Sequence, residues 1–311
     1  MASVEEFMRE WQSESRYIVA HTSGSTGAPK EIRLLKDDMR VSARATNLRF
    51  GITQNSVLAC PLSVDYIAGK MMVVRALEAN CKFIQLPVSN RLEIDCDVDL
   101  LAIVPSQVES LLAIENASEK IKNVIIGGAP LSDALADRLC RAGINAYATY
   151  GMTETCSHVA LAKITGDESR FQAMPGITFQ TDERGCLVIN APQFSFEQLI
   201  TNDIVRLINQ TEFIWLGRYD NVINSGGIKI FPEILENEIR RWFGGIFYVT
   251  GVADVKWGEV PVIVFEGEKD EEIGLIEHLR SKINHKYCPA HAFAVERIPR
   301  TSNGKIIRKK P

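Results

Sequence analysis

A chain of 311 residues is long enough for about two domains, and 46% apolar with 24% charged residues is typical of a globular protein. The 35 basic and 39 acidic residues give a net charge of −4, which argues against a protein that coats nucleic acid. No apolar run reaches the ~18 residues of a membrane helix, and the acidic N-terminus is unlike a signal peptide. The 7 dispersed cysteines predict free thiols and a cytoplasmic location.

The first two hundred or so residues alternate strand-like and helix-like segments. Strands are predicted at 17–21, 56–60, 82–86, 100–104, 123–126 and 146–149, and helices at 36–50, 66–79, 106–114 and 132–142. This alternation predicts a largely parallel sheet flanked by helices. Ligands of such sheets bind at the carboxyl ends of the strands.

The pattern changes near Gly185, where short strands separated by turn residues predict an antiparallel annex. From Arg218 onward charged residues are denser, which is typical of a smaller domain. Its predicted helices are 232–243 and 271–287, and its strands are 247–251 and 262–265. The sequence therefore predicts an α/β protein with a large domain over 1–217, a mostly parallel sheet plus the annex, and a small α+β domain over 218–311.

The most informative motif directly follows the first predicted strand. It consists of Thr22, Ser23, Gly24, Ser25, Thr26, Gly27, Ala28, Pro29 and Lys30. Glycines let backbone N–H groups converge on a phosphate, hydroxyls add donors, and the lysine adds a cation. A Walker loop would need a helix opening at its lysine, whereas Lys30 precedes another strand-like run. The alternative is a plain surface loop.

Two further motifs follow predicted strands. Tyr150-Gly151-Met152-Thr153-Glu154-Thr155 offers an aromatic face for a purine, a glycine for close approach, a hydroxyl, and a carboxylate for Mg²⁺. Gly127-Gly128-Ala129-Pro130 would form the opposite wall. Each is weak alone, since Thr153 could equally cap a helix.

Three later motifs complete the set. Asp203 and Arg218 together could hold a ribose diol, and Gly226-Gly227 precedes Lys229 in a tight turn. Lys305 follows Asn303-Gly304 on a turn near the C-terminus. Taken singly, these fragments could be β-turns and a solvated basic tail.

In this order and spacing the motifs resemble the acyl- and aryl-adenylate-forming, or AMP-binding, enzymes over nearly the whole chain. The resemblance implies ATP, Mg²⁺ and CoA as cofactors and a carboxylic acid as substrate. It assigns the β- and γ-phosphates to the loop Thr22–Lys30, the α-phosphate to Thr153, Mg²⁺ to Glu154, adenine to Tyr150 and Gly151 beside Gly128 and Ala129, and ribose to Asp203 and Arg218.

The resemblance also implies two half-reactions and a mobile C-terminal domain. Lys305 would bridge the carboxylate and the α-phosphate during adenylation. Asp220 lies at the family's hinge position. Rotation there would withdraw Lys305 and bring a CoA loop, comprising Gly226, Gly227 and Lys229, to the site.

Two departures from the family pattern stand out. Only 21 residues precede the Thr22–Lys30 loop, so we expect an N-terminal subdomain to be reduced or absent. The segment Pro61–Tyr66 also lacks a histidine that members often carry. Within the family, the compact length and the segments 127–131 and 150–158 most resemble the o-succinylbenzoate–CoA ligases of menaquinone synthesis.

Such a substrate carries a second, aryl carboxylate that needs a cation or several donors when it is buried. Tyr66 and Lys70 lie four apart on a predicted helix, and His158 follows Glu154 closely. We expect Lys70 or His158 to contact this carboxylate in a pocket that Tyr66 helps to line. The alternative for Lys70 is a solvent-facing helix position.

Other functions remain open. The same residues would serve an enzyme that loads a carrier protein, or a nucleotide-binding regulator that has lost catalysis. The acidic total disfavours a nucleic-acid partner, and the five histidines show no metal-ligand spacing. The resemblance also leaves open a homodimer.

Replacing Lys305 tests the adenylation role. We expect Lys305→Ala to lower adenylation by at least ~10²-fold, the scale of losing one preorganised donor, and to spare thioester formation from supplied acyl-AMP. Pyrophosphate release and thioester assays measure the two half-reactions separately. Equal loss in both would show a structural role instead.

Overall fold

The structure of the protein is a computed structural model that describes residues 3–22, 30–300 and 306–311. Its helices are α1 Val4–Gln12, α2 Lys36–Phe50, α3 Ile67–Ala79, α4 Val108–Leu112, α5 Ala117–Lys120, α6 Asp133–Arg141, α7 Pro232–Ile239 and α8 Glu271–Arg280. Its strands are β1 Tyr17–Thr22, β2 Lys30–Leu35, β3 Val57–Cys60, β4 Lys82–Gln85, β5 Leu100–Ile103, β6 Val124–Ile126, β7 Ala146–Gly151, β8 His158–Lys163, β9 Phe171–Ala173, β10 Thr178–Thr181, β11 Cys186–Ala191, β12 Glu197–Asn209, β13 Glu212–Arg218, β14 Ile223–Ser225, β15 Ile228–Ile230, β16 Phe247–Asp254, β17 Gly258–Glu266 and β18 His291–Val295.

One sheet of 11 strands organises the large domain, in the order β10-β11-β12-β13-β9-β8-β7-β6-β5-β3-β4. The strands from β4 to β7 pair in parallel, and every pairing from β7 to β10 is antiparallel. The predicted fold class is confirmed. The annex, however, is continuous with the parallel half, and antiparallel pairings outnumber parallel ones.

The hairpin of β1 and β2 stands apart as a two-stranded antiparallel sheet. It shares a core with α1, α2 and α3, and this core includes Phe7, Trp11, Ile18, Met39 and Met71. Sequence analysis predicted no helix in the first residues. Ser3 caps α1 by accepting a hydrogen bond from the Glu6 backbone amide, and the Glu6 carboxylate accepts one from the Ser3 backbone amide.

The C-terminal sheet has five strands, with β17 pairing antiparallel to β16 and parallel to β18. Helices α7 and α8 cover it through a core that includes Leu235, Ile239, Phe247, Phe265 and Leu279. The α+β prediction holds for this region. The second helix ends at Arg280, well before the predicted residue 287.

Most predicted elements lie where the sequence placed them, and α2 matches its predicted bounds. Ser132 accepts a hydrogen bond from the Leu135 amide and so caps α6. A 3₁₀ turn occupies Tyr219–Asn221, and strand β14 follows at Ile223. Among the described residues, no helix is both long and apolar enough to cross a bilayer.

Phe7 provides a test of whether α1 belongs to the core. Its side chain is 1% exposed, so we expect Phe7→Ala to lower the free energy of unfolding by about 3–5 kcal/mol. Urea denaturation followed by tryptophan fluorescence measures the loss. The matched control Leu48→Ala, at a position 74% exposed on α2, should change stability by less than about 0.5 kcal/mol. Equal effects would remove α1 from the core.

Candidate nucleotide and acid site

The candidate site lies where three parallel strands of the large sheet end. The registers Ile103↔Ile126 and Ile126↔Ala148 align β5, β6 and β7, so the segments that follow β6 and β7 emerge at one edge. These segments are Gly127–Pro130 and Tyr150–Glu154. The structure thus places the two weak motifs at the same edge of the sheet.

Gly151 is required by a close approach of two backbone segments. A Cβ there would lie 2.2 Å from the Ser157 carbonyl oxygen and 2.6 Å from His158 Cα, which no side chain permits. Gly128 instead adopts a φ of +84°, in the left-handed region that favours glycine. The two positions therefore need glycine for different physical reasons.

Tyr150 and Asp203 are joined by a direct hydrogen bond. The Tyr150 hydroxyl donates to Asp203 Oδ2 at 2.8 Å, and Trp215 Nε1 donates to Asp203 Oδ1 at 3.1 Å. Burial, followed by the neighbouring Asp203 carboxylate, raises the pKa of Tyr150 well above its ordinary value. Trp215 was not among the predicted site residues, and its place opposite Val205 in the β12–β13 pairing depends on the sheet register.

An aromatic cluster fixes the Tyr150 ring. Phe213 and Phe171 pack edge-on to it, with ring centroids 5.1 and 5.8 Å away. The two phenylalanines also stack on each other at 5.4 Å. Because the ring is held from one side and the hydroxyl is bonded, Tyr150 presents a fixed surface to a planar ligand.

Arg218 reaches the same carboxylate from the neighbouring strand. The β12–β13 register pairs Asp203 with Arg218, whose Nη1 lies 3.6 Å from Asp203 Oδ1. Its Nη2 lies 3.4 Å from Asp220 Oδ2. The predicted ribose pair and the predicted hinge residue are therefore in contact with one another.

Glu154 is suited to serve as one of several ligands of a bound cation. It lies in a 3₁₀ turn, Thr153–Thr155, and its exposed carboxylate has no partner among the residues that the structure describes. Mg²⁺ typically takes one or two protein carboxylates and completes its shell with phosphates and water. Strands β1 and β2 pack beside this turn.

Residues Ser23–Pro29 and 301–305, which include Ser23, Gly24, Ser25, Thr26, Gly27 and Lys305, lie outside the described part of the chain, as do the side chains of Thr22 and Lys30. The backbones that flank the first segment pair antiparallel as Thr22↔Lys30. Lys30 thus begins a strand, β2, and not the helix that a Walker loop requires.

The residues expected around a second carboxylate are not all together. Tyr66 precedes α3 as its N-cap and is 40% exposed, so it does not share a helix face with Lys70. Lys70 is buried, not solvent-facing: its Nζ lies 4.7 Å from the Phe7 ring centroid and 3.6 Å from Glu10 Oε2. Helix α1 therefore engages this amine.

His158 is buried near the nucleotide motif. Its Nε2 lies 3.2 Å from Thr46 Oγ1, and burial together with nearby Arg75 lowers its pKa well below 6.5. A neutral imidazole at neutral pH follows. His158 can therefore offer a hydrogen bond, but not a full positive charge.

Arg75, which sequence analysis missed, is a buried cation beside this histidine. Its Nη2 donates to Ser157 Oγ at 2.6 Å, and its Nε has no hydrogen-bond partner among the described residues. No described carboxylate forms an ion pair with it. Burial lowers the pKa of Arg75 to about 10, which leaves it protonated at neutral pH. Arg75 lies in an apolar stretch of α3, and the only sequence signal for it was a charged residue on the buried face of that helix.

The C-terminal motifs form a second group. Asp220 lies within the 3₁₀ turn, and Asn202 Nδ2 lies 3.4 Å from its Oδ2. Gly226 and Gly227 have φ values of +56° and +83°, and a Cβ on Gly226 would meet the Trp257 ring at 2.6 Å. Lys229 is exposed on β15.

The geometry defines a nucleotide-binding α/β core followed by a small α+β module. Residues 3–181 match the AMP-binding enzymes, and residues 247–305 match the C-terminal domain of AMP-binding enzymes. The chain belongs to the AMP-binding enzyme family.

Two kinds of relative are similar to this chain. A crystal structure from Dyadobacter fermentans, described as an acyl-CoA synthetase (AMP-forming)/AMP-acid ligase II-like protein, is 33% identical with a TM-score of 0.64, covering 97% of this chain and 90% of that one. The 2-succinylbenzoate–CoA ligase of Listeria monocytogenes is 28% identical, covering 97% of this chain and 71% of its own length. The 2-succinylbenzoate–CoA ligase of Enterococcus faecalis is 25% identical, covering 98% of this chain and 71% of its own length.

The o-succinylbenzoate–CoA synthetase of Bacillus subtilis, solved in complex with AMP, is 23% identical with a TM-score of 0.80. The match covers 93% of this chain and 67% of that one. At this identity the likeness establishes the fold alone.

The neutral, buried His158 predicts a loss of stability in acid. Its folded pKa lies below the ordinary 6.5, so the unfolded state binds more protons as the pH falls through 6.5, and the native state loses stability. Between pH 7.5 and 5.5 this loss amounts to about 1.4 kcal/mol. Urea unfolding at both pH values measures this loss. The free energy of unfolding of His158→Gln should fall on acidification by this amount less than that of the wild type.

The matched control is His278→Gln, at an exposed position on α8. It should retain the wild-type pH dependence. A His158→Gln profile parallel to that of the wild type would contradict a buried neutral imidazole.

Proposed function

We propose that the protein is an AMP-forming acid–CoA ligase that acts on o-succinylbenzoate. In the first half-reaction a carboxylate oxygen attacks the α-phosphorus of ATP, and the bond to pyrophosphate breaks. In the second, the sulfur of CoA attacks the acyl carbon and loses its proton, and the C–O bond to AMP breaks. The products are o-succinylbenzoyl-CoA and AMP, which would serve menaquinone biosynthesis.

The observation that carries the nucleotide part is the Tyr150–Asp203 hydrogen bond. It places an aromatic face and a carboxylate at one point of the sheet edge, suited to adenine and to the ribose hydroxyls. Arg218 lies beside Asp203, and Gly128 and Ala129, which follow the neighbouring strand β6, would form the second wall. This arrangement supports the roles that the family resemblance implies for these residues.

The remaining residues of the first half-reaction are assigned on the same basis. The Thr22–Lys30 loop would hold the β- and γ-phosphates, and Thr153 the α-phosphate. Mg²⁺, held by Glu154, would neutralise phosphate charge. Lys305 would bridge the two reacting groups. These donors meet the three anions that adenylation brings together.

The second half-reaction would use the C-terminal domain, which we place at 218–311 after a core over 1–217. The large sheet ends with β13 at Arg218, and the smaller sheet begins with β14 at Ile223. Asp220 lies between the two and is the proposed pivot. Gly226, Gly227 and Lys229 would then face the CoA thiol.

The acid is assigned from Arg75 and the named relatives. Gly151 touches the Ser157 backbone, and Ser157 Oγ accepts from Arg75, so the buried guanidinium lies one residue layer from the nucleotide motif. A buried cation without a carboxylate partner is costly unless a ligand supplies the anion. We propose that the aryl carboxylate of o-succinylbenzoate does so.

This assignment changes the role expected for two residues. His158 is adjacent to Arg75 and can donate or accept one hydrogen bond in the acid pocket. Lys70 faces α1, which supports a structural role for its amine. Tyr66, half-exposed before α3, would lie at the pocket entrance.

Carrier-protein loading and a catalytically inactive regulator stay alternatives that a direct assay separates. All seven cysteines are free, which is consistent with the proposed cytoplasmic location. A homodimer stays open, and the mass in solution tests it.

The acid is tested by pyrophosphate release with a panel of acids, with and without CoA. We expect kcat/KM to be highest for o-succinylbenzoate. An analogue without the aryl carboxylate should lose about 10- to 100-fold, the ~1.5–3 kcal/mol of a charged hydrogen bond. Arg75→Met should abolish this preference, whereas Lys70→Ala should retain it.

Arg44→Met is the matched control, because it makes the same substitution at an exposed arginine on α2 and should leave the preference intact. If the wild type prefers a monoacid, the assignment of o-succinylbenzoate as substrate is wrong, and only membership of the AMP-binding enzyme family stands. Retained preference in Arg75→Met would move the contact to another residue. Thioester formed only on a carrier protein would favour that alternative.

A further inference from the structure

A buried ion pair fastens the end of the chain to α7. Arg308 Nη2 lies 2.7 and 2.8 Å from the two carboxylate oxygens of Glu236, whose side chain is 6% exposed. Glu236 Oε1 also accepts a hydrogen bond from the Val249 amide at 2.8 Å. The pair therefore links the tail, α7 and β16.

The residues around Arg308 hold the tail at further points. The Tyr248 hydroxyl donates to the Lys309 carbonyl oxygen at 2.8 Å and accepts from the Lys309 amide at 3.3 Å. The Ile307 amide donates to the Pro299 carbonyl oxygen at 2.9 Å. Arg300 and Ile306 form an antiparallel bridge. The described residues on either side of 301–305 are thus held together.

The same cluster extends to the hinge. Glu233, one turn before Glu236 on α7, accepts a hydrogen bond from Asn221 Nδ2 and lies 3.8 Å from Arg308 Nη2. A Cβ on Gly217 would meet Glu233 Oε2 at 2.5 Å, so the glycine admits this carboxylate. One helix, α7, therefore holds both the residue after the proposed hinge and Arg308 in the tail.

We propose that Arg308 is a positioning residue for adenylation. It would lock the described chain on either side of Lys305 to α7, the helix that also holds the residue after the hinge, so that domain rotation delivers the lysine at a fixed place. This role rests on the proposed function. Positioning matters because a displacement of about 1 Å can reduce a rate by ~10²-fold. The second half-reaction does not use Lys305 and would not depend on the anchor.

The test separates the two half-reactions in Arg308→Gln. We expect pyrophosphate release to fall by roughly 10- to 100-fold, while thioester formation from supplied acyl-AMP stays within about twofold of the wild type. Hydrogen exchange of the Ile307 and Lys309 amides should accelerate. Because Arg308→Gln leaves Glu236 buried without its partner, the double variant Arg308→Met/Glu236→Leu removes both charges and should show the same split.

Lys310→Gln is the matched control. Lys310 lies in the same tail and its Nζ is 3.4 Å from Glu259 Oε1, but its side chain is 68% exposed. Both half-reactions should be unchanged. Arg308→Lys, which retains the charge, should recover part of the adenylation rate.

Normal adenylation by a folded Arg308 variant, or unchanged exchange in the tail, would overturn this role alone. Equal loss of both half-reactions together with a lower Tm would also overturn it, because the cluster would then serve only stability. Absence of pyrophosphate release by wild-type protein with every acid would overturn the proposed function, and this role with it.

Discussion

The antiparallel pairing of β7 with β8 is the constraint on which the site depends. It reverses the chain directly after Tyr150–Glu154 and joins the parallel half of the sheet to the annex. The reversal needs Gly151 against the Ser157 backbone and a positive φ of +61° at Cys156. Without this pairing, Asp203 on β12 would not come within hydrogen-bond distance of the Tyr150 hydroxyl. The nucleotide wall is thus a consequence of sheet continuity.

Arg75, which is buried, and Arg308, which is half-buried, meet the cost of desolvation in opposite ways. The Glu236 carboxylate neutralises Arg308, and this ion pair holds the C-terminal tail against α7. Arg75 has only a hydroxyl and a thioether sulfur as side-chain partners among the described residues. A cation with a protein carboxylate is suited to structure, whereas one without is suited to a ligand of opposite charge. The contrast supports the different roles proposed for them.

The contacts around Asp220 locate the boundary between the two parts of the chain. Asn202 and Arg218, from the large sheet, lie 3.4 Å from its carboxylate. Asn221, the next residue, is bound to Glu233 of α7. Neighbouring residues are therefore held by different elements, the large sheet and α7, which supports the proposed pivot at Asp220. An exposed ion pair, Arg241–Asp133 at 2.8 Å, also links the domains and would part at little cost.

The sequence by itself determined the elements whose signals are local. Strand–helix alternation follows from backbone preferences within a few residues, and so do the motif positions at strand ends. The tertiary structure alone decided which distant residues meet. Helix α1 contacts Lys70, which we had expected in the acid pocket. The sheet register brings Trp215 and Arg218 to Asp203. Burial leaves Arg75 as a cation with no carboxylate partner among the described residues. Such outcomes depend on contacts between residues far apart in the chain, and neither residue type nor periodicity reports which partner or how much solvent a side chain will have.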